Sequence, residues 1–266
     1  MYSIKRKAAI ISLLEQQKEV EVNSLSERFG ISKETIRRDL SGLEREGVLT
    51  RTHGGAVYNG PDWREGRTEY PVSVRAAQRY NEKNAICKQA ARELRDGEVI
   101  FVDNSSTTMY LPRHIPKDLH LTVITNSMKL LLEAAKLQNP RIQYTCFGGI
   151  FRESNLSFYG NATLRGAGEY FPDKTFLSCT GINRDGVVTD ASAQEVDVKR
   201  LMLRQSQKVF LLADHTKFHK TGQIYLTDLS QSTVITDDAA TGEDREFLCA
   251  FARHVIVVPR KGDMEG

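Results

Sequence analysis

Seven short apolar runs limit what the larger part of this chain can become. They read "EVIFVD" (98–103), "LTVIT" (121–125), "IQYTCF" (142–147), "KTFLSCT" (174–180), "KVFLLAD" (208–214), "STVIT" (232–236) and "HVIVV" (254–258). Several are continuous rather than alternating, the pattern of strands covered on both faces of a mainly parallel sheet. Helical patterns over 79–95, 127–137, 158–168, 194–207 and 243–252 separate many of them. Such alternation predicts a doubly wound α/β domain over residues 76–258.

Ligands of such sheets bind at the carboxyl ends of the strands, where strand order reverses. The residues just past each apolar run are therefore informative. After the first run come Asp103, Asn104, Ser105, Ser106, Thr107 and Thr108; after the second, Thr125, Asn126 and Ser127. Gly148, Gly149 and Arg152 come after the third, and "ADHTKF", with Asp214 and Lys217, comes after the fifth. A phosphate needs free amides, short donors and a helix N-terminus, and 104–108 is expected to supply all three. Ser and Thr also cap helices without binding anything, so the loop taken alone supports both readings. Four polar loops on one edge favour a site.

The first 58 residues have a different pattern. Ile4, Ala8, Ile11 and Leu14 recur at helical spacing, and Asn23 is expected to cap a second helix that Gly30 stops. Ser32 is placed to cap a third, whose Ile36, Leu40 and Leu43 point inward. Glu34, Arg37, Arg38, Ser41 and Arg45 project on the other side, with Lys33 and Thr35 at the leading end. "VLTRTHGGAVY" then turns at Gly54-Gly55 as a hairpin. Three short helices and a hairpin make a winged helix-turn-helix, mainly α with a β-hairpin wing. In that geometry Ser32, Lys33, Glu34, Thr35, Arg37 and Arg38 meet the major groove of double-stranded DNA, with Arg51 and His53 on the wing.

Charge does not decide the matter. The net charge is +3, and residues 1–58 carry ten basic and eight acidic side chains. A solvated amphipathic helix would look the same by composition; the ordered series of caps, turn and hairpin speaks for DNA. The N-terminal "MYSIKRKAAIISLLEQQ" starts like a signal peptide, but Ser12 breaks the apolar run and Glu15 ends it, so a cytoplasmic protein with no membrane partner is expected. Cys87, Cys146, Cys179 and Cys249 lie far apart without zinc spacing, so no metal is expected. Reduced packing is their ordinary role, with a redox role for Cys179 as the alternative. Residues 59–75, rich in Gly and Pro, read as a hinge in which Trp63 packs on a neighbouring surface, and 259–266 as a polar tail.

The segment "LSERFGISKETIRRDLSGLEREGVLTRTHGGAV" closely resembles the DNA-binding domain of DeoR-type transcriptional regulators. Residues 103–108, 125–127, 148–149, Gly181-Ile182, Glu195, Lys199 and 213–218 extend the resemblance to the family's C-terminal sensor. The resemblance implies a bacterial regulator, usually a repressor near genes of carbohydrate use. It implies a phosphorylated sugar as effector, no cofactor, and a homo-oligomer, dimer or tetramer. It also brings Glu195 and Lys199 into the pocket, although an i,i+4 salt bridge between them is the plain alternative. His215 fits a local structural role equally well.

The sensor is similar to ribose-5-phosphate isomerase and CoA-transferase-like folds, which raises a sugar-phosphate isomerase as rival. That pattern has Asp-Gly-Ala-Asp-Glu where this chain has Thr180-Gly181-Ile182-Asn183-Arg184. Proton transfer between carbons needs a placed base, and Thr180 and Asn183 supply none. Asp185 is the nearby carboxylate. No catalytic residue is expected; binding without chemistry is.

Overall fold

In the computed structural model, which describes residues 3–59 and 72–260, the apolar stripes of the first segment close on one another. Helices α1 (Ser3–Gln17), α2 (Val22–Phe29) and α3 (Lys33–Arg45) surround a core containing Ile10, Leu14, Leu25, Ile36, Leu40 and Leu43. Each fully buried Ile or Leu contributes about 1.5–3 kcal/mol. Strand β1 (Glu19–Glu21) joins β2 (Leu49–Arg51) and β3 (Gly55–Tyr58) in an antiparallel sheet of order β1-β3-β2. A Cβ on Gly55 would lie 2.0 Å from the Val20 carbonyl oxygen, so this pairing requires glycine.

Helix α2 starts one residue before the expected cap. Its N-cap is Glu21, without a side-chain capping bond, because β1 runs straight into the helix. The Gly54 carbonyl accepts from the Val22 amide at 2.9 Å, so the wing satisfies the first amide of the helix. Gly30 ends α2 with φ +63°, and the Ser32 hydroxyl caps α3 by accepting from the Thr35 amide, as expected. A short helix, α4 (Val72–Ala77), packs its Val72 and Ala77 into the same unit, which extends to Tyr80. Most of the proposed hinge, Trp63 included, lies outside the described residues, as does the tail beyond Arg260.

The second unit runs from Asn81. It contains α5 (Tyr80–Arg92), β4 (Val99–Val102), β5 (Leu121–Thr125), α6 (Met128–Ala135), β6 (Ile142–Cys146), β7 (Ile150–Arg152), β8 (Ser157–Tyr159) and α7 (Asn161–Gly168). Then come β9 (Lys174–Leu177), β10 (Gly181–Ile182), β11 (Val187–Asp190), α8 (Ala193–Gln205), β12 (Lys208–Leu212), β13 (Ile224–Asp228), β14 (Ser232–Asp237), α9 (Gly242–Phe251) and β15 (His254–Val258).

The seven apolar runs form one sheet of order β15-β14-β12-β9-β4-β5-β6, with every neighbouring pair parallel. Strand order reverses between β4 and β9. Side chains on both faces of the sheet are buried, as continuous apolar runs require: Phe101, Ile124, Leu177, Leu211 and Val234 on one face, Ile100, Val102, Phe176 and Phe210 on the other.

Three local outcomes depart from the sequence reading. The helix placed over 158–168 begins at Asn161, because Ser157–Tyr159 is a strand paired with β7. After β4 the chain enters a 3-10 helix, Thr108–His114, since Pro112 has no amide to continue an α-helical ladder. Strands β10, β11 and β13 form a separate antiparallel sheet that no apolar run announced.

Candidate functional site

The loop 103–108 sits at the reversal point, held by Asp103. The Asp103 amide donates to the Phe176 carbonyl at 3.1 Å, fixing the residue between β4 and β9. Its Oδ1 accepts from the Ser105 amide (3.0 Å) and the Thr108 hydroxyl (2.6 Å). Its Oδ2 accepts from the Ser178 amide at 3.1 Å and lies 3.2 Å from Lys199 Nζ. Thr108 further donates to the Asp103 carbonyl, and Ser105 Oγ accepts from the Thr108 amide. Asp103, Ser105 and Thr108 thus build the loop. Asn104, Ser106 and Thr107 occupy its middle, all buried.

Helix α8 supplies the charges beneath the loop. Lys199 donates to Asp190 Oδ2 (2.6 Å) and the Ser178 carbonyl (3.0 Å) as well as facing Asp103. Glu195 accepts from Asn104 Nδ2 at 2.7 Å, Asn155 Nδ2 at 2.6 Å and the Ser157 hydroxyl, and pairs with Arg152 at 2.9 Å. Arg152 also donates to Ser192 Oγ at 2.6 Å. Glu195 and Lys199 are therefore committed to partners on other elements, and the simple salt bridge between them does not form. Burial alone would lower the Lys199 pKa, but Asp190 and Asp103 hold the ammonium above its ordinary range. Burial pushes the Asp190 carboxyl up, and Lys199 more than offsets this, so it stays ionised below the usual carboxylate range.

The other polar loops divide in the same way. Thr125 Oγ1 accepts from the Ser127 amide, and Ser127 caps α6 by accepting from the Leu130 amide. Between them Asn126 donates through Nδ2 to the Phe158 carbonyl at 3.0 Å. Gly148 and Gly149 are exposed and shape the turn into β7; a Cβ on Gly149 would lie 2.2 Å from Thr163 Oγ1. No bond connects these glycines to the Asp103 network among the described residues. Lys217 lies in a 3-10 turn after β12 and, with Lys83, outweighs burial to hold the Asp214 carboxyl below its usual range. His215 is structural: its amide and Nδ1 both engage Asp237, at 2.9 Å each.

Two contributors escaped sequence reading. Lys83, on the buried face of α5, donates to Ser106 Oγ at 3.1 Å. Its signal was a lysine three and four residues before Ile86 and Cys87 on an otherwise apolar stripe. Asp190 returns through the β10–β11 hairpin to accept from Thr180 Oγ1 at 3.2 Å. Asp185, the carboxylate the sequence suggested, is instead exposed in the hairpin turn, bonded to Asn183. Cys179 is buried and its thiol is pushed up to about 12, which removes the thiolate that redox chemistry needs. Cys249, by contrast, is exposed.

On the first unit, Ser32, Lys33, Glu34, Arg37, Arg38, Arg51 and His53 are exposed, and Thr35 is half-buried under the Ser32 hydroxyl. Arg37 makes a loose 3.9 Å contact with Glu34. Arg51 donates to Ser41 Oγ at 2.9 Å, tying the wing to α3. Asp39 turns inward to a buried pair with Arg6, at 2.5 and 3.2 Å. Arg6, one of the ten basic residues of this segment, therefore adds nothing to the exposed face.

A winged helix-turn-helix in one chain with a doubly wound domain that has a polar site at its strand reversal defines a ligand-responsive DNA-binding regulator. The chain belongs to the DeoR family of transcriptional regulators: the DeoR-like helix-turn-helix domain matches residues 6–62, and the DeoR C terminal sensor domain matches residues 78–238. It is 35% identical over 238 residues to the uncharacterized HTH-type transcriptional regulator YulB of Bacillus subtilis (strain 168), covering 89% of this chain and 90% of that protein. It is 33% identical to the L-fucose operon activator of Escherichia coli (strain K12), covering 88% and 94%. Among solved structures it is similar to ribose 5-phosphate isomerase A of Methanocaldococcus jannaschii, at 15% identity and a TM-score of 0.38, over 51% of this chain and 53% of that one. At that level the likeness carries no statement about chemistry. No described helix is long and apolar enough to cross a membrane.

Proposed function

We propose that this regulator binds operator DNA through α3 and its wing, and that a phosphorylated sugar, held by the loops around Asp103, controls that binding. The observation that carries the reading is the buried network at the strand reversal. Lys199 and Arg152 are neutralised by Asp103, Asp190 and Glu195, and each of these carboxylates is engaged in hydrogen bonds or ion pairs. A general base needs a pKa near the working pH and a free path to the substrate proton. Asp190, held ionised by Lys199, has neither, which favours a sensor over an isomerase. Residues 1–58 act as the reading head and the chain from Asn81 to Val258 as the sensor, with the connection between them ending in α4, which packs with the first unit. A homo-oligomer, dimer or tetramer, places two or more heads on repeated half-sites. Carbohydrate-metabolism genes are the targets and the cytoplasm the setting.

A mobility shift with the DNA upstream of the protein's own gene, repeated across a panel of sugar phosphates, tests this reading. A specific complex that selected sugar phosphates weaken is the expected result. Absence of any specific complex at modest salt removes the regulator reading, and rapid turnover of ribose 5-phosphate restores the isomerase.

Two substitutions separate the functions. Arg37→Ala and Arg38→Ala should each weaken operator binding by about 1–3 kcal/mol with an unchanged melting temperature. Wild-type affinity in both would move recognition off this face of α3. Lys217→Ala should keep operator binding but lose the response to effector, and a normal response would remove Lys217 from the site.

A further inference from the structure

The two asparagines of the site have an unmet requirement that a phosphate group does not fill. Asn104 is 2% exposed and Asn126 is 1% exposed, and the Oδ1 atom of each has no hydrogen-bond partner. Their orientation is not arbitrary. Asn104 Nδ2 donates to the Glu195 carboxylate, which can only accept, and Asn126 Nδ2 donates to the Phe158 carbonyl, which can also only accept. Turning either amide over would set two acceptors against each other. Both oxygens are therefore fixed as acceptors in need of donors.

A buried, unsatisfied acceptor costs about 1–3 kcal/mol, so its retention at two places in one site points to a donor supplied from outside. The loops converge: Ser157 donates to the same Glu195 oxygen as Asn104, and Phe158, the next residue, is tied to Asn126 through its amide and its carbonyl. A phosphate dianion has no proton to give at neutral pH and would face two carbonyl dipoles with like polarity. Hydroxyl groups are the matching chemistry.

We infer that Asn104 and Asn126 read hydroxyls of the effector, so the site selects a polyhydroxylated ligand by accepting from its O–H groups and not by anion binding alone. This rests on the sugar-phosphate reading and adds the part of the ligand that is recognised. Sites built to bond a hydroxyl discriminate strongly against analogues lacking it, because their own polar groups are then stranded.

Calorimetry on the full chain tests this with defined probes: ribose 5-phosphate, fructose 6-phosphate and glycerol 3-phosphate, each against the unsubstituted alkyl phosphate of equal chain length, with inorganic phosphate as reference. The best sugar phosphate should bind about 100-fold more tightly than its alkyl counterpart, roughly tenfold for each hydroxyl bonded. Asn104→Leu and Asn126→Leu should each reduce that ratio about tenfold. Gln205→Leu, which removes a buried, partnerless amide oxygen at the C-terminal end of α8, outside this network, should preserve it.

Equal binding of sugar and alkyl phosphates by the wild-type protein overturns the inference, whatever the variants do, and is the result expected if retained water satisfies both oxygens. A ratio unchanged in both asparagine variants, or lost equally in Gln205→Leu, overturns it too. In these cases a phosphate-responsive sensor still stands. Binding of no phosphate probe overturns the sugar-phosphate reading itself, and this inference with it.

Discussion

Lys199→Met is expected to cost about 3–5 kcal/mol and to invert the pH dependence of sensor-domain stability. The lysine is the shared cation for Asp103 and Asp190, both buried, and removing one member of a buried ionic group strands the rest. In the wild-type protein the depressed Asp190 pKa contributes stability above the unfolded value of roughly 4, and that contribution is lost as pH falls through the lower folded value. Without Lys199 the two carboxyls face each other in a dry setting, and burial with like charge raises at least one folded pKa. Stability should then fall as pH rises through the unfolded value. Thermal melts of wild type and variant from pH 4 to pH 8 read both effects. A variant with wild-type melting temperature at pH 7 and an unchanged slope would show that Lys199 does not hold the site together.

The second large effect lies in the DNA-binding unit. Asp39→Ala should destabilise that unit by about 3–5 kcal/mol, because it removes the carboxylate that joins the buried Arg6 guanidinium on α1 to α3. Operator binding should be lost along with helical signal in the melt of this unit, which distinguishes Asp39 from its neighbour. Arg38→Ala is expected to weaken binding with the fold intact; Asp39→Ala should do so by loosening the fold. Full stability with loss of binding alone would make Asp39 a contact to DNA and not a brace.

The framework was largely legible in the residues. Two strands, Leu121–Thr125 and His254–Val258, coincide with their apolar runs: the first is an inner strand buried at four of its five positions, whereas the second lies at the sheet edge, partly exposed, and shows through its run of β-branched residues. Gly30, Ser32 and the hairpin were legible because left-handed backbone, capping and chain reversal each select few residue types, although Gly55 proves to be the first residue of β3 and not part of the turn. The β10–β11–β13 sheet was not, since strands as short as Gly181-Ile182 carry too few side chains to show a period. Within the site, the polar loops were visible as a group. The division inside each loop was not: Thr125 and Ser127 tie their loop down while Asn126 keeps a free acceptor, and all three look alike as small polar residues.

The amino-acid order alone therefore determined whatever depends on near neighbours: helical stripes, caps, turns and the alternation that forces a doubly wound sheet. The tertiary structure decided the partners. Asp103, Asp190 and Lys199 come from three separate elements, and Lys83 reaches Ser106 from a fourth, α5. Arg6 finds Asp39 thirty-three positions away. A charge counted along the chain has no fixed meaning until folding removes water and sets its neighbour. Burial then turns an apparent basic residue into a brace, and an apparent salt-bridge pair into two separate anchors of one site.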